Sequence, residues 1–174
     1  MKNTKLHKLI YSAIFIAIAY ILPFFTGQIP QIGAMLCPMH IPVLICGFIC
    51  GWPWGLAVGL ISPLLRSVAL GMPPMFPTAV CMAFELAAYG TASGILHRAL
   101  PKKKGYIYCS LILSMLTGRI IWGAAMAICT GVSGSSFGFA AFIAGAFTNA
   151  IPGIILQIAI IPPLVMILDK AVKK

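Results

Sequence analysis

The sequence predicts an all-α integral membrane protein, a bundle of six transmembrane helices with the N- and C-termini in the cytoplasm. Of its 174 residues, 61% are hydrophobic and only 8% are charged. Because a soluble domain carries about 25% charged residues, this chain could not cover a folded core with polar surface in water. Its formal net charge of +10 does not indicate nucleic-acid binding, which uses basic residues spread over a wetted face. We therefore expect residues 1–174 to form a single transmembrane domain.

Six apolar stretches account for the predicted helices. A hydrocarbon core of about 30 Å requires about 20 helical residues, and most of the stretches have that length. The second is short and could instead be the first half of one long helix with the third. In chain order the stretches are 9–25, 39–51, 54–71, 79–97, 107–130 and 139–168.

The positions of the basic residues decide between five helices and six. Ten of the 12 basic residues lie in three clusters, within 2–8, 98–104 and 170–174. Cytoplasmic loops concentrate Lys and Arg, so an even number of helices must separate consecutive clusters. A break at Gly51-Trp52-Pro53 places four helices between the first and second clusters and two between the second and third. A single helix over 39–71 would place the second cluster outside.

The chain shows no motif typical of an enzyme or a metal site. It has no G-x-x-x-x-G-K-[ST] loop for ATP, no H-E-x-x-H and no G-x-S-x-G. Its six cysteines lie mostly in apolar stretches, where helix packing accounts for them. The Cys37-x-x-His40 spacing lacks the second pair of ligands that a structural zinc site requires. We therefore expect no enzymatic activity, no metal and no cofactor.

Three charged residues lie inside the predicted helices: Arg66, Glu85 and Arg119. A charged side chain at the centre of a membrane helix costs roughly 2.5–3.5 kcal/mol, so such residues pair, line a cavity or serve a function. The predicted topology places all three in the outer half of the membrane or near its centre. Glu85 can neutralise one arginine as a structural ion pair. A net positive charge remains, because one carboxylate cannot neutralise two guanidinium groups.

An uncompensated buried arginine is costly because its side chain does not deprotonate. The charges therefore predict an outward-facing pocket that receives an anionic group, most simply a carboxylate. Arg119 is the strongest candidate to bind it. Three further residues can supply polar and stacking contacts, or can serve in helix packing alone. They are Asn149 at a comparable depth, Trp122 on the same helical face as Arg119, and His40 at the outer start of the second helix.

Small residues recur at four-residue spacing in two places. Gly47, Gly51, Gly55 and Gly59 cross the predicted break between the second and third helices. Such spacing lets helix backbones approach closely in lipid, and here it predicts packing of those two helices. Ala13 and Ala17 make a similar pair in the first helix. From spacing alone, that pair can face a neighbour within the chain or a separate protein.

Three segments resemble the small substrate-binding subunits of energy-coupling factor (ECF) vitamin transporters. They are MHIPVLICGFICGW from Met39, PLLRSVALGMPP around Arg66 and AFELAAYG around Glu85. The resemblance covers essentially the whole chain and is greatest to the branch that binds pantothenate, folate and queuosine precursors. It implies a multi-pass protein of a prokaryotic cell membrane.

The resemblance also implies partners and a mechanism. In that family an Ala-x-x-x-Ala stripe on the first helix docks on a transmembrane coupling subunit, which works with two ATPase subunits, and Ala13 and Ala17 match it. The loop between the first two helices closes over the bound vitamin. In this chain that gating loop spans about 26–38, with Gly27, Gln28, Gln31 and Gly33.

The excess of positive charge favours pantothenate, a monocarboxylate, as the substrate. Folate, with two carboxylates and a pterin ring, is an alternative. A queuosine precursor, cationic through its amine, is another and would use Glu85. An interpretation from a different class is a small membrane scaffold, or an intramembrane enzyme that uses Glu85 and His40.

Overall fold

The computed structural model describes residues 4–26, 33, 35–101, 104–132 and 138–172. The described chain is built from α-helices and short 3-10 or π turns, and we number the α-helices in chain order. They are α1 (Thr4–Ile21), α2 (His40–Cys50), α3 (Trp52–Leu70), α4 (Val80–Ala99), α5 (Lys104–Val132), α6 (Phe139–Ala146) and α7 (Ile151–Val172). The prediction of an all-α bundle is confirmed.

Five segments of the described chain are long and apolar enough to cross a membrane. Each corresponds to one predicted apolar stretch, and α2 corresponds to the sixth. The segments are Lys5–Phe25, Trp52–Leu70, Met75–Ala99, Lys104–Val132 and Phe139–Asp169. With 11 residues, α2 extends only about 16 Å at 1.5 Å per residue and does not span the hydrocarbon core by itself.

The predicted break between the second and third helices is confirmed at Gly51. This residue has φ of +97°, so α2 ends at Cys50 and α3 begins at Trp52. Positive φ is open to glycine because it has no Cβ. Pro53 then occupies the first turn of α3, where its missing N–H breaks no helical hydrogen bond.

The short helix α2 lies at the centre of the bundle. Nine of its 11 residues are buried. Its side chains join the main apolar core with residues of α4, α5 and α7, among them Leu86, Leu111 and Ile161. This short helix is therefore enclosed by longer ones.

The glycine ladder packs differently from the prediction. Gly55 does lie against Gly47, as expected for contact between the second and third helices. The nearest atoms to a Cβ built at Gly47 or Gly55, however, belong to α4, at Ser93 and Gly90, and a Cβ at Gly59 would meet the Leu86 carbonyl. Both α2 and α3 thus use their glycines to approach α4, which the spacing within one segment could not reveal.

The sixth predicted helix is not continuous. It consists of α6, a 3-10 turn over Thr148–Ala150 and α7. Phe147 leaves the helical conformation with φ of −124° and ψ of −62°. Pro152 explains the break, because in one continuous helix its ring would clash with the carbonyl four residues earlier.

Candidate functional site

A cavity of about 670 Å³ lies where one end of the bundle brings several helix termini together. The C-terminal part of α3, the N-terminal ends of α2 and α4 and the middle of α5 contribute to its wall. Lys5, Lys8, Arg98 and Lys104 lie at the opposite ends of α1, α4 and α5. The cavity and the basic residues therefore occupy opposite ends of the bundle.

All six residues predicted to bind substrate line this one cavity. They come from five different segments of the chain: His40, Arg66, Glu85, Arg119, Trp122 and Asn149. Gly33, from the predicted gating loop, also lies in the wall. Gly27, Gln28 and Gln31 of that loop fall outside the described residues.

Glu85 is the centre of a buried polar network in the cavity wall. Its Oε1 lies 3.0 Å from Arg119 Nη1 and accepts a hydrogen bond of 3.1 Å from the Tyr89 hydroxyl. His40 Nε2 approaches the same oxygen to 3.4 Å. Only 2% of Glu85 is exposed. A carboxylate so deeply buried requires such partners, since an unpaired charge there would be strongly destabilising.

Arg119 has a second contact, on the segment that leads into α2. Its Nη2 donates to Cys37 Sγ at 3.6 Å. Burial raises the pKa of the Cys37 thiol, so the thiol stays neutral and adds no negative charge to the cavity. Cys37 has φ of +47°, which is uncommon for a residue other than Gly, Asn or Asp. The Cys37 N–H donates to the Gly33 carbonyl, and the Cys37 carbonyl accepts from the His40 N–H, which holds this turn.

Arg66 occupies a different environment. Its Nη1 donates a 2.7 Å hydrogen bond to the Tyr20 carbonyl, one of the last carbonyls of α1, which have no partner within the helix. Its Cζ lies 5.0 Å from the centre of the Phe24 ring and 5.9 Å from that of Tyr20. These rings supply cation–π contacts, yet they carry no compensating charge.

Among the described residues, no side-chain carboxylate is left for Arg66. The sequence has two acidic residues, Glu85 and Asp169. Glu85 pairs with Arg119, and Asp169 lines a separate small cavity beside His97 and Leu100. The large cavity therefore contains two guanidinium groups and one carboxylate. This excess of positive charge is the main electrostatic feature of the site.

Trp122 and Asn149 also line the cavity. The Trp122 indole stacks on Phe142, with ring centres 6.5 Å apart and 27° between the planes. Gly145 provides the space, since a Cβ there would meet the indole at 2.6 Å. Asn149 lies in the 3-10 turn between α6 and α7 and is exposed. The break in the sixth helix thus places an exposed side-chain amide in the cavity wall.

Comparison with family models assigns the chain to a family. Residues 7–165 match the model described as "ECF transporter, substrate-specific component". The chain belongs to this family. The resemblance found in the sequence is thereby confirmed at the level of the family, which comprises the substrate-binding parts of transporters. Neither the comparison with curated proteins nor that with solved structures found a match.

As a substrate-specific component of an ECF transporter, the chain binds a small substrate and associates with the other components of an ECF module. Its long apolar helices are those of a multi-pass membrane protein. The cavity that unites the predicted residues is the candidate substrate site.

The structure adds residues to this site that the sequence reasoning missed. Tyr89 could have been found, because it follows Glu85 by four residues and so shares its helix face. The contact between Cys37 and Arg119 joins residues 82 positions apart, and no local pattern indicates it. The turn after α3 is also part of the wall through Met72, Pro73 and Pro74. The Ser67 hydroxyl fixes that turn by donating to the Pro73 carbonyl at 2.7 Å.

Proposed function

We propose that this chain captures an anionic water-soluble vitamin, with pantothenate the best candidate, from outside the cell. Import is then driven by ATP through a separate transmembrane coupling subunit and two ATPase subunits. The observation that carries the proposal is the charge of the cavity, which holds two arginines and a single carboxylate. A substrate with one negative charge neutralises the remainder.

Arg66 is a buried cation that no carboxylate of the described residues neutralises. Only 3% of this residue is exposed, and its nearest described partners are a backbone carbonyl and two rings. Arg cannot relieve such a position by losing its proton. An incoming carboxylate supplies charge-assisted hydrogen bonds and removes the imbalance. Binding an anion is therefore favourable in a way that binding a neutral or cationic compound is not.

The choice among vitamins follows from charge and from the state of Glu85. Pantothenate brings one carboxylate, and its hydroxyl and amide groups can meet polar groups such as Asn149 and Thr78 in the wall. Folate brings two carboxylates, one more than the single unpaired positive charge of the cavity can neutralise. A cationic queuosine precursor would need Glu85, which already has Arg119, His40 and Tyr89 around it. The volume of about 670 Å³ lies within the roughly 300–1,000 Å³ usual for small-molecule sites.

We further propose an orientation in the membrane and a docking face for the coupling subunit. With the basic clusters in the cytoplasm, the cavity faces the outside, both termini are cytoplasmic, and the membrane is that of a prokaryotic cell. Ala13 and Ala17 are exposed on α1 and form the docking face for the coupling subunit. Gly33 belongs to the segment that gates the cavity.

Equilibrium binding of labelled pantothenate to the purified protein tests the proposal. We expect saturable binding that unlabelled folate displaces poorly and that Arg66→Ala or Arg119→Ala weakens strongly. Lys104→Ala is the matched control, since it removes an exposed positive charge at the other end of the bundle. Absence of saturable binding by the unmutated protein would reject pantothenate. Unchanged binding by both arginine variants would reject the site.

Mass spectrometry of the small molecule retained on purification provides an independent check. A carboxylate of the expected mass supports the proposal, whereas a retained cation contradicts the charge argument on which it rests.

A further inference from the structure

The two arginines of the cavity are held in different ways, and this difference separates their roles. We propose that Arg66 binds the carboxylate of the substrate, whereas Arg119 is a positioning residue held by Glu85. The inference rests on the proposed function, because it takes the substrate to be an anion. It reverses the order expected from the sequence, in which Arg119 is the stronger candidate.

Arg119 is already committed to the protein. Its Nη1 faces Glu85 Oε1 at 3.0 Å and its Nη2 donates to Cys37 Sγ. Its Nε is buried and has no partner among the described residues. The Nε side of the guanidinium is therefore not accessible to a ligand. An anion that approached this group would also meet the negative charge of Glu85, and like charges repel strongly where water is excluded.

Arg66 retains donors for a ligand. Within the described part of the chain, its one hydrogen bond runs from Nη1 to the Tyr20 carbonyl. A guanidinium carries five N–H donors in a planar fork, so those on Nε and Nη2 remain for a carboxylate. The Phe24 and Tyr20 rings lie near its Cζ. They restrict its position and exclude water, which strengthens an ionic hydrogen bond.

The network around Glu85 then has a separate task. Through Arg119 it reaches Cys37, and through Glu85 it reaches His40, the two residues that flank the turn into α2. It thereby holds this part of the cavity wall against α4 and α5. Loss of Arg119 should disturb the whole site, whereas loss of Arg66 should disturb recognition of the carboxylate alone.

Two ligands that differ only in the charged group separate these roles. We would measure binding of pantothenate and of its alcohol analogue, in which a hydroxymethyl group replaces the carboxylate. The unmutated protein should prefer the acid by about 10- to 100-fold, the effect of one or two charge-assisted hydrogen bonds. Arg66→Gln should abolish most of this preference, and Arg66→Lys should retain part of it. Arg119→Gln should weaken both ligands by similar factors and leave the preference intact.

A double variant keeps the test valid if Arg119→Gln fails to fold. Removing Arg119 alone leaves Glu85 as a buried unpaired charge. Glu85→Gln combined with Arg119→Gln removes both charges, and we expect it to restore the apparent Tm and to keep the preference for the acid. Arg66→Gln should lower the Tm less than Arg119→Gln, and Glu85→Gln should not rescue it.

The outcomes separate failure of the role assigned to Arg66 from failure of the proposed function. If the unmutated protein binds neither compound, the proposed function fails and the assignment of the carboxylate to Arg66 fails with it. If the protein binds the acid selectively but Arg119→Gln or the double variant removes the preference while Arg66→Gln keeps it, only the assignment is wrong. Rescue of Arg66→Gln by Glu85→Gln would also overturn it, because Glu85 would then be the partner of Arg66.

Discussion

Two stripes of small residues with the same spacing have opposite surroundings in this molecule. The first stripe, Gly47, Gly51, Gly55 and Gly59, is buried where α2 and α3 pack against α4. The second, Ala13 and Ala17 on α1, is exposed. In lipid, small residues favour close approach of helices but do not identify the partner. The first stripe has its partner within the chain, and the second has none among the described residues.

The surroundings of each stripe explain the difference. Gly47 and Gly55 face the Gly90 backbone of α4 so closely that a Cβ at either position would clash with it. The alanines lie among large apolar side chains that are themselves exposed, including Ile10, Ile14 and Ile18. The opposite face of α1 carries Ala19, which is fully buried. Small residues on α1 thus lie on two different surfaces, one exposed and one buried. Substitutions at these buried and exposed positions should therefore affect the stability of the isolated chain to different degrees.

The largest effect is expected from Gly55→Ala. A Cβ at Gly55 would meet the Gly90 carbonyl and the Gly47 Cα, and neither can move aside as a side chain would. We expect a loss of about 3 kcal/mol, the upper part of the usual range for overpacking, measured as apparent Tm and as monodisperse yield in detergent.

The matched control makes the same change where space is open. Nothing lies within 4 Å of a Cβ at Gly131, near the end of α5. Gly131→Ala should therefore leave the Tm unchanged or raise it, since alanine is favoured over glycine in a helix by about 0.5–1 kcal/mol. Equal effects of the two changes would contradict the proposed packing of α3 against α4.

Ala19→Leu should follow in size. Ala19 is fully buried, and the three added carbons would have to enter a packed interface. Overpacking of this kind costs about 1–3 kcal/mol. A thermal melt of the purified variant measures it, and a wild-type Tm would show that the inner face of α1 is looser than the structure indicates.

A smaller effect is expected from Gly118→Ala. The Cβ would meet the ring of Tyr89, and a ring can shift where a backbone cannot. We expect a loss of about 1 kcal/mol in stability. The displaced ring should also lose its hydrogen bond to Glu85, so pantothenate binding should weaken by more than the Tm alone suggests. Unchanged binding would show that Tyr89 does not support the site.

Much of the fold was predictable because it follows from local composition. The apolar stretch 54–71 corresponds to α3 over Trp52–Leu70, and Gly51 with Pro53 marks its start. The enclosure of α2 was not predictable from a single segment, because it depends on four other helices. The interruption at Phe147 does have a local signal in Pro152, which the continuous apolar stretch 139–168 obscures.

The residues of the candidate site were also predictable, whereas the ion pair that they form was not. Each charge inside a membrane helix requires an explanation, and this requirement alone selects Arg66, Glu85 and Arg119. Which arginine pairs with Glu85 depends on the relative rotation of α3, α4 and α5. The sequence contains no measure of that rotation. For the same reason the roles of the Tyr20 carbonyl and of Cys37 appear only in three dimensions.

Ala17→Leu should have the smallest effect on the isolated chain and the most selective effect on its assembly. Ala17 is exposed, so the longer side chain meets only lipid and the Tm should stay within error. If α1 docks on the coupling subunit through this stripe, the leucine prevents close approach of the two helices. Co-purification from cells that express the whole transporter should then fall by about tenfold or more, equivalent to ~1.4 kcal/mol.

Ala124→Leu supplies the matched control for this last change, because Ala124 is an exposed alanine in the middle of another helix, α5. It should lower neither the Tm nor the recovery of the coupling subunit. Equal losses for both variants would mean that any added bulk on the lipid-facing surface disturbs assembly. The exposed stripe of α1 would then not be a specific docking face. A loss confined to Ala17→Leu would establish that the second stripe, like the first, has a helix as its partner, supplied by another chain.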